Sequence, residues 1–201
     1  MLRLDHLAVS AASLDAGVAV VEAALGLALG PGGKHPHMAT HNRLLGLGEL
    51  YLEVISIDPE APAPAWPRWF DLDQFQGQPR LTNWICACDD LETALAQAPQ
   101  GTGVPVDLAR GDLRWRMAVP GDGKLPFGGG FPALIQWQGA HPAARLPDSG
   151  ARLRRLEIVN PRAMDLRNAV ALDDPRVVFV QGPAPALRAE IDTPHGLRVL
   201  E

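Results

Sequence analysis

The sequence predicts an α+β fold built from a repeated strand-helix-strand-strand-strand (βαβββ) unit. Residues 3–10 alternate in polarity as a strand does, with His6 near its start. A weak copy of this strand returns 77 positions later, at residues 81–87. Each copy is followed by a helical pattern and then by further strand patterns. Identity between the copies is slight, so the prediction depends on pattern. The predicted repeat makes His6 and Asn83 equivalent positions.

Composition places the chain among ordinary globular proteins. Its 201 residues are 47% hydrophobic and 20% charged, which suffices for a sizeable core. A net charge of −5 lacks the basic character of a nucleic-acid-binding protein. The sequence shows neither a signal peptide nor an apolar run of ~18 residues, so we expect a cytoplasmic protein without membrane contact. Cys86 and Cys88 should be small core residues that face the helices beside Trp84.

The first module is predicted over residues 1–58. Ser13 has the character of an N-cap, and the helix should run to about Leu25. Residues 31–33 are interpreted as a loop and residues 34–42 as an irregular edge. Two strands follow, at 42–47 and 50–57. The second strand contains Glu53 among apolar residues, and such a carboxylate is costly to bury unless it meets water, a cation or hydrogen-bond donors.

A Pro-rich, aromatic connector over residues 59–80 should separate the first module from the second. Two interpretations stay open for it, a lid and a plain linker. The second module is predicted over 81–145. Its helix should span 91–98, and its last three strands are expected at 104–108, 113–119 and 131–138. The Gly-rich loop 120–130 matches no phosphate-binding motif.

Residues 146–201 are predicted to form a partial third module. A linker leads to a strand at 153–159 and a helix at 162–172. Three more strands are expected at 176–181, 186–192 and 197–200. This unit would either extend the sheet or make a contact in a homodimer.

The last strands of the two modules supply a second pair of positions. When Tyr51–Val54 is aligned with Leu134–Trp137, Glu53 pairs with Gln136 at a shift of 83. The site should therefore lie between the modules.

The chain resembles the glyoxalase-like domain proteins of the vicinal oxygen chelate superfamily. The phrases that carry the resemblance are LDHLAVSAASLD, GGKHPHMATHN followed by YLEVISID, and FPALIQWQGAHP. They cover residues 2–145 well and the tail more loosely. The resemblance implies a U-shaped mixed sheet made from two modules, with helices outside and one concave site.

Metal-dependent members of that superfamily place a divalent cation at the four equivalent positions. Carried over to this chain, the resemblance implies His6, Glu53 and Gln136 as ligands of Zn, Ni, Mn or Fe, with Glu53 also catalytic and Asn83 lining the pocket. His and Glu are good ligands for such metals, whereas Asn and Gln are weak ones. The alternative is that His6 and Glu53 hydrogen-bond each other in a pocket without a metal.

Three further residues are candidates for contact with a small-molecule ligand. His35 and Asn42 lie in a segment that borders the cleft in the resembled family. Arg116 would bind an anionic substrate if its strand face is turned inward. His141, in the second linker, is assigned no role.

Two functions therefore stay open. One is a metal-dependent lyase or isomerase that acts on vicinal oxygens through an oxyanion. A dioxygenase is less favoured, because Fe(II) sites of that kind use two His and one carboxylate. The other is a binding or sequestering protein without turnover, since one scaffold hosts both functions.

Overall fold

Twelve strands and three α-helices make up the protein in a computed structural model that describes residues 1–201. The helices are α1 (Leu14–Leu25), α2 (Leu91–Gln97) and α3 (Ala163–Ala169). The strands are β1 (Arg3–Ser10), β2 (Gly30–His35), β3 (Thr40–Leu47), β4 (Leu50–Ile57), β5 (Arg80–Ala87), β6 (Val104–Arg110), β7 (Leu113–Val119), β8 (Ala133–Trp137), β9 (Arg152–Asn160), β10 (Val177–Gln181), β11 (Ala186–Thr193) and β12 (Gly196–Leu200).

The first eight strands form one mixed sheet in the order β2-β3-β4-β1-β5-β8-β7-β6. Within each half, the first strand runs parallel to the last strand of the same half. The two first strands, β1 and β5, pair antiparallel in the middle. The sheet curls until its edge strands β2 and β6 come into contact. These features confirm the predicted pair of βαβββ modules in a curved mixed sheet.

The strand register tests the alignment of the two modules. His6 lies opposite Ile85, and Ala8 lies opposite Asn83. This reciprocal pairing is what a two-fold axis produces when residues 77 positions apart are equivalent. It therefore supports the pairing of His6 with Asn83.

The register also corrects the second pair of positions. Ala8 lies beside Glu53 on β4, while Ile85, the counterpart of Ala8, lies beside Ala133 on β8. Ala133 is thus the counterpart of Glu53, and the expected pairing with Gln136 was wrong by three residues. The alignment of the two sequences missed this pairing because the methyl group of Ala133 does not resemble the side chain of Glu53.

The two faces of the curved sheet pack differently. The outer face contributes Trp84, Cys86 and Cys88 to a core that also contains the helices, as predicted. The concave face carries a smaller cluster that includes Ala8, Ile85 and aromatic residues of the connector.

The C-terminal unit forms a separate four-stranded sheet in the order β10-β9-β11-β12. It shares the outer core with the central sheet, so it covers that face and does not extend the sheet. Its element order is βαβββ-like, as predicted. Its pairing differs from that of the modules, because β9 runs parallel to β10 and not to the last strand.

A β-bulge interrupts the pairing of β1 with β5 at Asp5. The extra residue changes the phase of the alternation, since a bulge sets two residues against one. Leu4 therefore packs in the outer core with Leu7, although the simple alternation predicted for residues 3–10 would place it on the face of His6. His6 keeps its place on the concave side with Ala8.

The stretch interpreted as a loop and an irregular edge contains a strand. Gly30–His35 pairs with β3 as the edge strand of the sheet, with a register shift between Gly30 and Gly33. An edge strand needs hydrogen bonds on one side only, so it tolerates the Gly and Pro residues that hid it.

None of the helices has the length and apolar character that a bilayer span requires.

Candidate functional site

A small cavity lies on the concave side of the sheet. Its volume is about 30 Å³, room for roughly one or two water molecules. Strands of both modules and the connector supply its walls, which consist of His6, His35, Asn42, Tyr51, Glu53, Trp69, Phe70, Arg110, Trp115, Met117, Ile135 and Trp137. This cavity therefore lies between the modules, where the resemblance implied a site.

His6 is held between two carboxylates. Its Nδ1–H donates to Asp5 Oδ1 at 2.5 Å, and its Nε2 lies 3.6 Å from Glu53 Oε1. Tyr51 stacks on the imidazole, with ring centroids 4.2 Å apart. The distance to Glu53 exceeds that of a normal hydrogen bond, so the Nε2–H is left for another acceptor.

Asp5 is the hub that orients this histidine. Its Oδ2 accepts hydrogen bonds from Trp137 Nε1 at 2.9 Å and from His141 Nε2 at 3.0 Å. The backbone N–H of Ala143 donates to His141 Nδ1, which fixes the tautomer of His141. The buried carboxylate is thus fully satisfied, and it holds His6 by one ring nitrogen while the other faces the cavity.

These contacts make His6 a cation. Burial alone would lower the pKa of His6, but the hydrogen bond to Asp5 and the proximity of Glu53 raise it to about 9. Burial opposes ionisation of Asp5, yet the hydrogen bonds from His141 and His6 hold its pKa well below the usual value. Burial likewise opposes ionisation of Glu53, and His6 brings the net pKa of that carboxyl below its usual value. The site thus holds an imidazolium between two carboxylates.

Glu53 is anchored by one oxygen. Asn42 Nδ2 donates to Glu53 Oε2 at 2.7 Å. Asn42 is in turn fixed through its Oδ1, which accepts from Gly33 N at 3.0 Å and from Arg110 Nη1 at 2.9 Å. Glu53 Oε1 makes no such contact and faces Nε2 of His6. This oxygen is therefore the free acceptor of the cavity.

Arg110 reaches the site from the opposite edge of the sheet. It lies at the end of β6, and besides Asn42 its Nη1 donates to His35 Nε2 at 3.3 Å. His35 Nδ1–H donates to Thr40 Oγ1 at 3.0 Å. Burial lowers the pKa of His35 to about 4, and the charge of Arg110 acts in the same direction. His35 is thus a neutral member of the wall.

Trp69 adds an unpartnered donor. The residue is buried in the cavity wall, and its Nε1–H has no hydrogen-bond partner in the protein. A buried N–H without a partner is costly, which favours an acceptor on a bound ligand. Together with His6 and Arg110 it makes the cavity rich in donors.

The structure brings four of the predicted site residues together. His6, Glu53, His35 and Asn42 all line the cavity. Asn83 is buried on the concave face but lines a neighbouring, larger cavity.

Two predicted residues lie elsewhere, on the outer side of the sheet. Gln136 accepts from Leu91 N at the start of α2 and donates to Asp89 O. Arg116 pairs with Glu92 and Asp107. Neither residue is in the cavity, because alternation along β7 and β8 turns Trp115 and Trp137 inward instead.

The sequence interpretation missed Asp5, Arg110 and the role of His141. Simple alternation along residues 3–10 would place Asp5 on the face opposite His6, and the bulge breaks that alternation. Arg110 is distant in sequence and reaches the site only because the sheet closes. The side chain of Arg110 passes close to Gly33. A Cβ at that position would lie 2.6 Å from Arg110 Cδ, which favours glycine there.

The residues of the cavity do not fit a divalent metal ion. Nowhere in residues 1–201 do three His, Cys, Asp or Glu side chains converge as a metal-binding group. Ala133 occupies the position that would supply the carboxylate of the second module. His6 Nε2 carries a proton in its charged form, and Arg110 adds positive charge. The donor-rich cavity suits an anionic ligand better than a cation.

The sequence matches the model of the glyoxalase-like domain family over residues 4–172. A comparison with curated proteins finds no match. The match to the family model spans both modules and the start of the C-terminal unit.

Solved structures resemble this chain at low sequence identity. A hypothetical protein from Staphylococcus aureus is 15% identical, with a TM-score of 0.62, over 92% of this chain and 88% of that one. A hypothetical protein from Bacillus halodurans is 15% identical, with a TM-score of 0.46, over 69% of this chain and 95% of that one. Methylmalonyl-CoA epimerase from Mycobacterium tuberculosis is 17% identical, with a TM-score of 0.45, over 71% and 91%.

Proposed function

The chain belongs to the glyoxalase-like domain family, and from that premise we propose that it is an isomerase that needs no metal. Its substrate would be a small acid with oxygens on neighbouring carbons. The observation that carries the proposal is the arrangement of His6 Nε2–H and Glu53 Oε1, 3.6 Å apart at one cavity. This is an acid and a base, each with one atom anchored and one atom free.

His6 takes the place of the family's cation in this proposal. Held as imidazolium by Asp5, it directs a charged N–H at the cavity. A charged donor fixed in advance stabilises an oxyanion that develops beside it. The imidazolium therefore supports negative charge on a substrate carbonyl oxygen.

Glu53 is the proposed base. Its Oε2 is held by Asn42, so that Oε1 keeps a fixed position beside His6. A carboxylate at this place can remove a proton from the carbon next to the polarised carbonyl. Burial strengthens the interaction between the two charges and the reacting group.

Arg110 and Trp69 would hold the carboxylate of the substrate. Arg110 carries positive charge at the cavity wall, and Trp69 has the unpartnered Nε1–H. Charge-assisted hydrogen bonds to a carboxylate are among the stronger ones in proteins. This set of donors favours an acid over a neutral sugar or ketone.

The reaction is a shift of hydrogen between two neighbouring oxygen-bearing carbons. With hydroxypyruvate as the probe, Glu53 removes a C3 proton and the C2 oxygen takes the charge beside His6. The C3 hydroxyl proton passes to the C2 oxygen, and the Glu53 carboxyl returns its proton to C2. The product is the 2-hydroxy-3-oxo acid, tartronate semialdehyde.

The test is the exchange of the C3 protons of hydroxypyruvate in D₂O, followed by ¹H NMR. We expect exchange faster than the buffer rate with the native protein, and a return to the buffer rate in Glu53→Gln. Glu49→Gln is the matched control, because Glu49 is an exposed glutamate that contacts Arg176 outside the cavity. It should exchange as fast as the native protein.

Binding without turnover is the second outcome of this test. If hydroxypyruvate binds in calorimetry but its protons exchange only at the buffer rate, the protein is a binding protein and the isomerase proposal is wrong. If the acid neither binds nor exchanges, the assignment of a small oxygen-rich acid is wrong as well.

A further inference from the structure

A second cavity adjoins the one that contains His6, and neither sequence motif nor family assigns it a role. Its volume is about 440 Å³, more than ten times that of the inner cavity. It lies where β5, the connector, the Gly-rich loop 120–130 and β11 meet. Its apolar walls come from Phe70, Phe75, Leu81, Leu125 and Leu187.

Phe70 is common to both cavities. The inner cavity, at about 30 Å³, is too small for any organic acid until a wall moves. Phe70 and the following residue, Asp71, both adopt left-handed backbone conformations, with φ of 60° and 52°. Such conformations are unfavourable for residues other than glycine, and they occur at ligand clamps and switch regions. Phe70 therefore borders both cavities, and it lies on the connector and not on a strand of the sheet.

Asn83 supplies the polar end of the outer cavity. It lines that cavity and is only 4% exposed, yet its Oδ1 has no hydrogen-bond partner in the protein. An acceptor buried in this way is costly unless a donor reaches it from a ligand. Asn83 is also the counterpart of His6 under the internal two-fold symmetry. The two equivalent residues thus line different cavities.

Charge in the outer cavity is balanced. Arg80 and Lys124 are matched by Asp71 and Glu201 among the lining residues. The guanidinium of Arg80 lies over the ring of Phe75, 4.5 Å from its centroid, and donates to Gln76 O. The outer cavity therefore differs from the inner one, in which donors and positive charge prevail. It suits an uncharged, largely apolar group.

We propose that the outer cavity binds the body of the substrate, an apolar carbon chain that ends in a hydroxyl or amino group directed at Asn83 Oδ1. This inference rests on the proposed function, because the acid head of the same molecule occupies the inner cavity. Adjacent strands and alternate residues place the Cα atoms of His6 and Asn83 roughly 8 Å apart. A chain of a few carbons covers such a distance once Phe70 turns aside.

The test uses three acids that bind without reacting: lactate, 2-hydroxyhexanoate and 2,6-dihydroxyhexanoate. Calorimetry on the full chain gives the affinity of each. We expect 2-hydroxyhexanoate to bind at least about tenfold more tightly than lactate, because three more carbons leave water. The terminal hydroxyl of the third acid should add about fivefold through Asn83.

Two variants separate the contribution of the ligand's carbon chain from that of its terminal hydroxyl. Ala186→Trp places a large side chain in the outer cavity from an exposed position. It should abolish the tighter binding of 2-hydroxyhexanoate, while lactate binds as before. Ala184→Trp is the matched control, since Ala184 is exposed but does not line the cavity. Asn83→Leu should remove only the fivefold gain from the hydroxyl.

The outcomes are distinguishable. If lactate binds but the longer acids bind no more tightly, or if their gain survives in Ala186→Trp, the outer cavity is not a substrate site and the proposed function stands. If the hydroxyl gain survives in Asn83→Leu, the role given to Asn83 is overturned. If none of the three acids binds, the proposed function fails, and this inference fails with it.

Discussion

Asp5 and His6 are neighbours in the chain, yet Asp5 Oδ1 accepts a 2.5 Å hydrogen bond from the ring of His6 on the concave side of the sheet. Successive residues of a regular strand point to opposite faces. The bulge at Asp5 allows both side chains to reach the same side. Bulges that redirect a side chain in this way are common beside active sites.

Replacing Asp5 tests the contribution of its hydrogen bond with His6 to stability. Asp5→Asn keeps the size of the side chain but removes the nearer of the two carboxylates that contact His6. Removal of one member of a buried ion pair typically costs about 3–5 kcal/mol. We expect the free energy of unfolding, measured by urea denaturation, to fall by that order.

The matched control for Asp5→Asn is Asp89→Asn. Asp89 is exposed and pairs with Arg3 on the surface, where solvent screens the charges. Its unfolding midpoint should hardly change. Equal losses in the two variants would contradict the role of Asp5 as the buried hub.

Stability should depend on pH in a manner that the two buried histidines determine. His6 has a pKa raised to about 9, so its contribution is complete below pH 6.5, its ordinary pKa, and is lost as pH rises through about 9. His35 has a pKa lowered to about 4, so the unfolded chain takes up its proton first and stability falls as pH drops from 6.5 towards 4.

The carboxyls act in the same direction as His35 at low pH. Asp5 and Glu53 have lowered pKa values, and their contributions are lost as pH falls below their ordinary values. The free energy of unfolding should therefore be greatest near pH 6.5. In His6→Gln the decline between pH 6.5 and 9 should largely disappear, and an unchanged alkaline decline would refute this assignment.

Divalent metals should not stabilise the protein through this site. The cavity offers one carboxylate, Glu53, and two imidazoles, His6 and His35. His6 is protonated at both ring nitrogens in its charged form, and His35 Nε2 already accepts from Arg110. We expect thermal shifts with Zn(II), Ni(II), Mn(II) or Fe(II) to be the same in the native protein and in His6→Asn. A shift that disappears in His6→Asn would show that the site binds a metal after all.

Gln136 should matter for α2 and not for the cavity. Its side chain accepts from Leu91 N and donates to Asp89 O. Gln136→Leu is expected to lower the free energy of unfolding by about 1 kcal/mol, the typical net value of a hydrogen bond. The exchange of hydroxypyruvate protons should remain at the native rate, and its loss would return Gln136 to the site.

The fold was predictable because its units repeat and their strands alternate. Ser13 caps the first helix and the second helix begins at Leu91, both as expected, and Trp84 packs outward with Cys86. The strand pattern singled out His6 and Glu53, and the family resemblance implied their place in the site together with that of His35 and Asn42.

The remaining site residues depend on features that local pattern does not reveal. A one-residue bulge moves Asp5 inward, a three-residue difference in register exchanges Gln136 for Ala133, and the closure of the sheet brings in Arg110. The third unit was recognised by element order, but its pairing follows from packing against the outer core and not from its sequence pattern.

The protonation state of His6 tests the central claim most directly. A ¹⁵N NMR titration of the imidazole in protein treated with chelator should show both ring nitrogens protonated at neutral pH, with a pKa of about 9. In that state the ring is a charged donor beside Glu53 and needs no metal. A neutral ring at pH 7, with a pKa near the ordinary 6.5, would contradict the account.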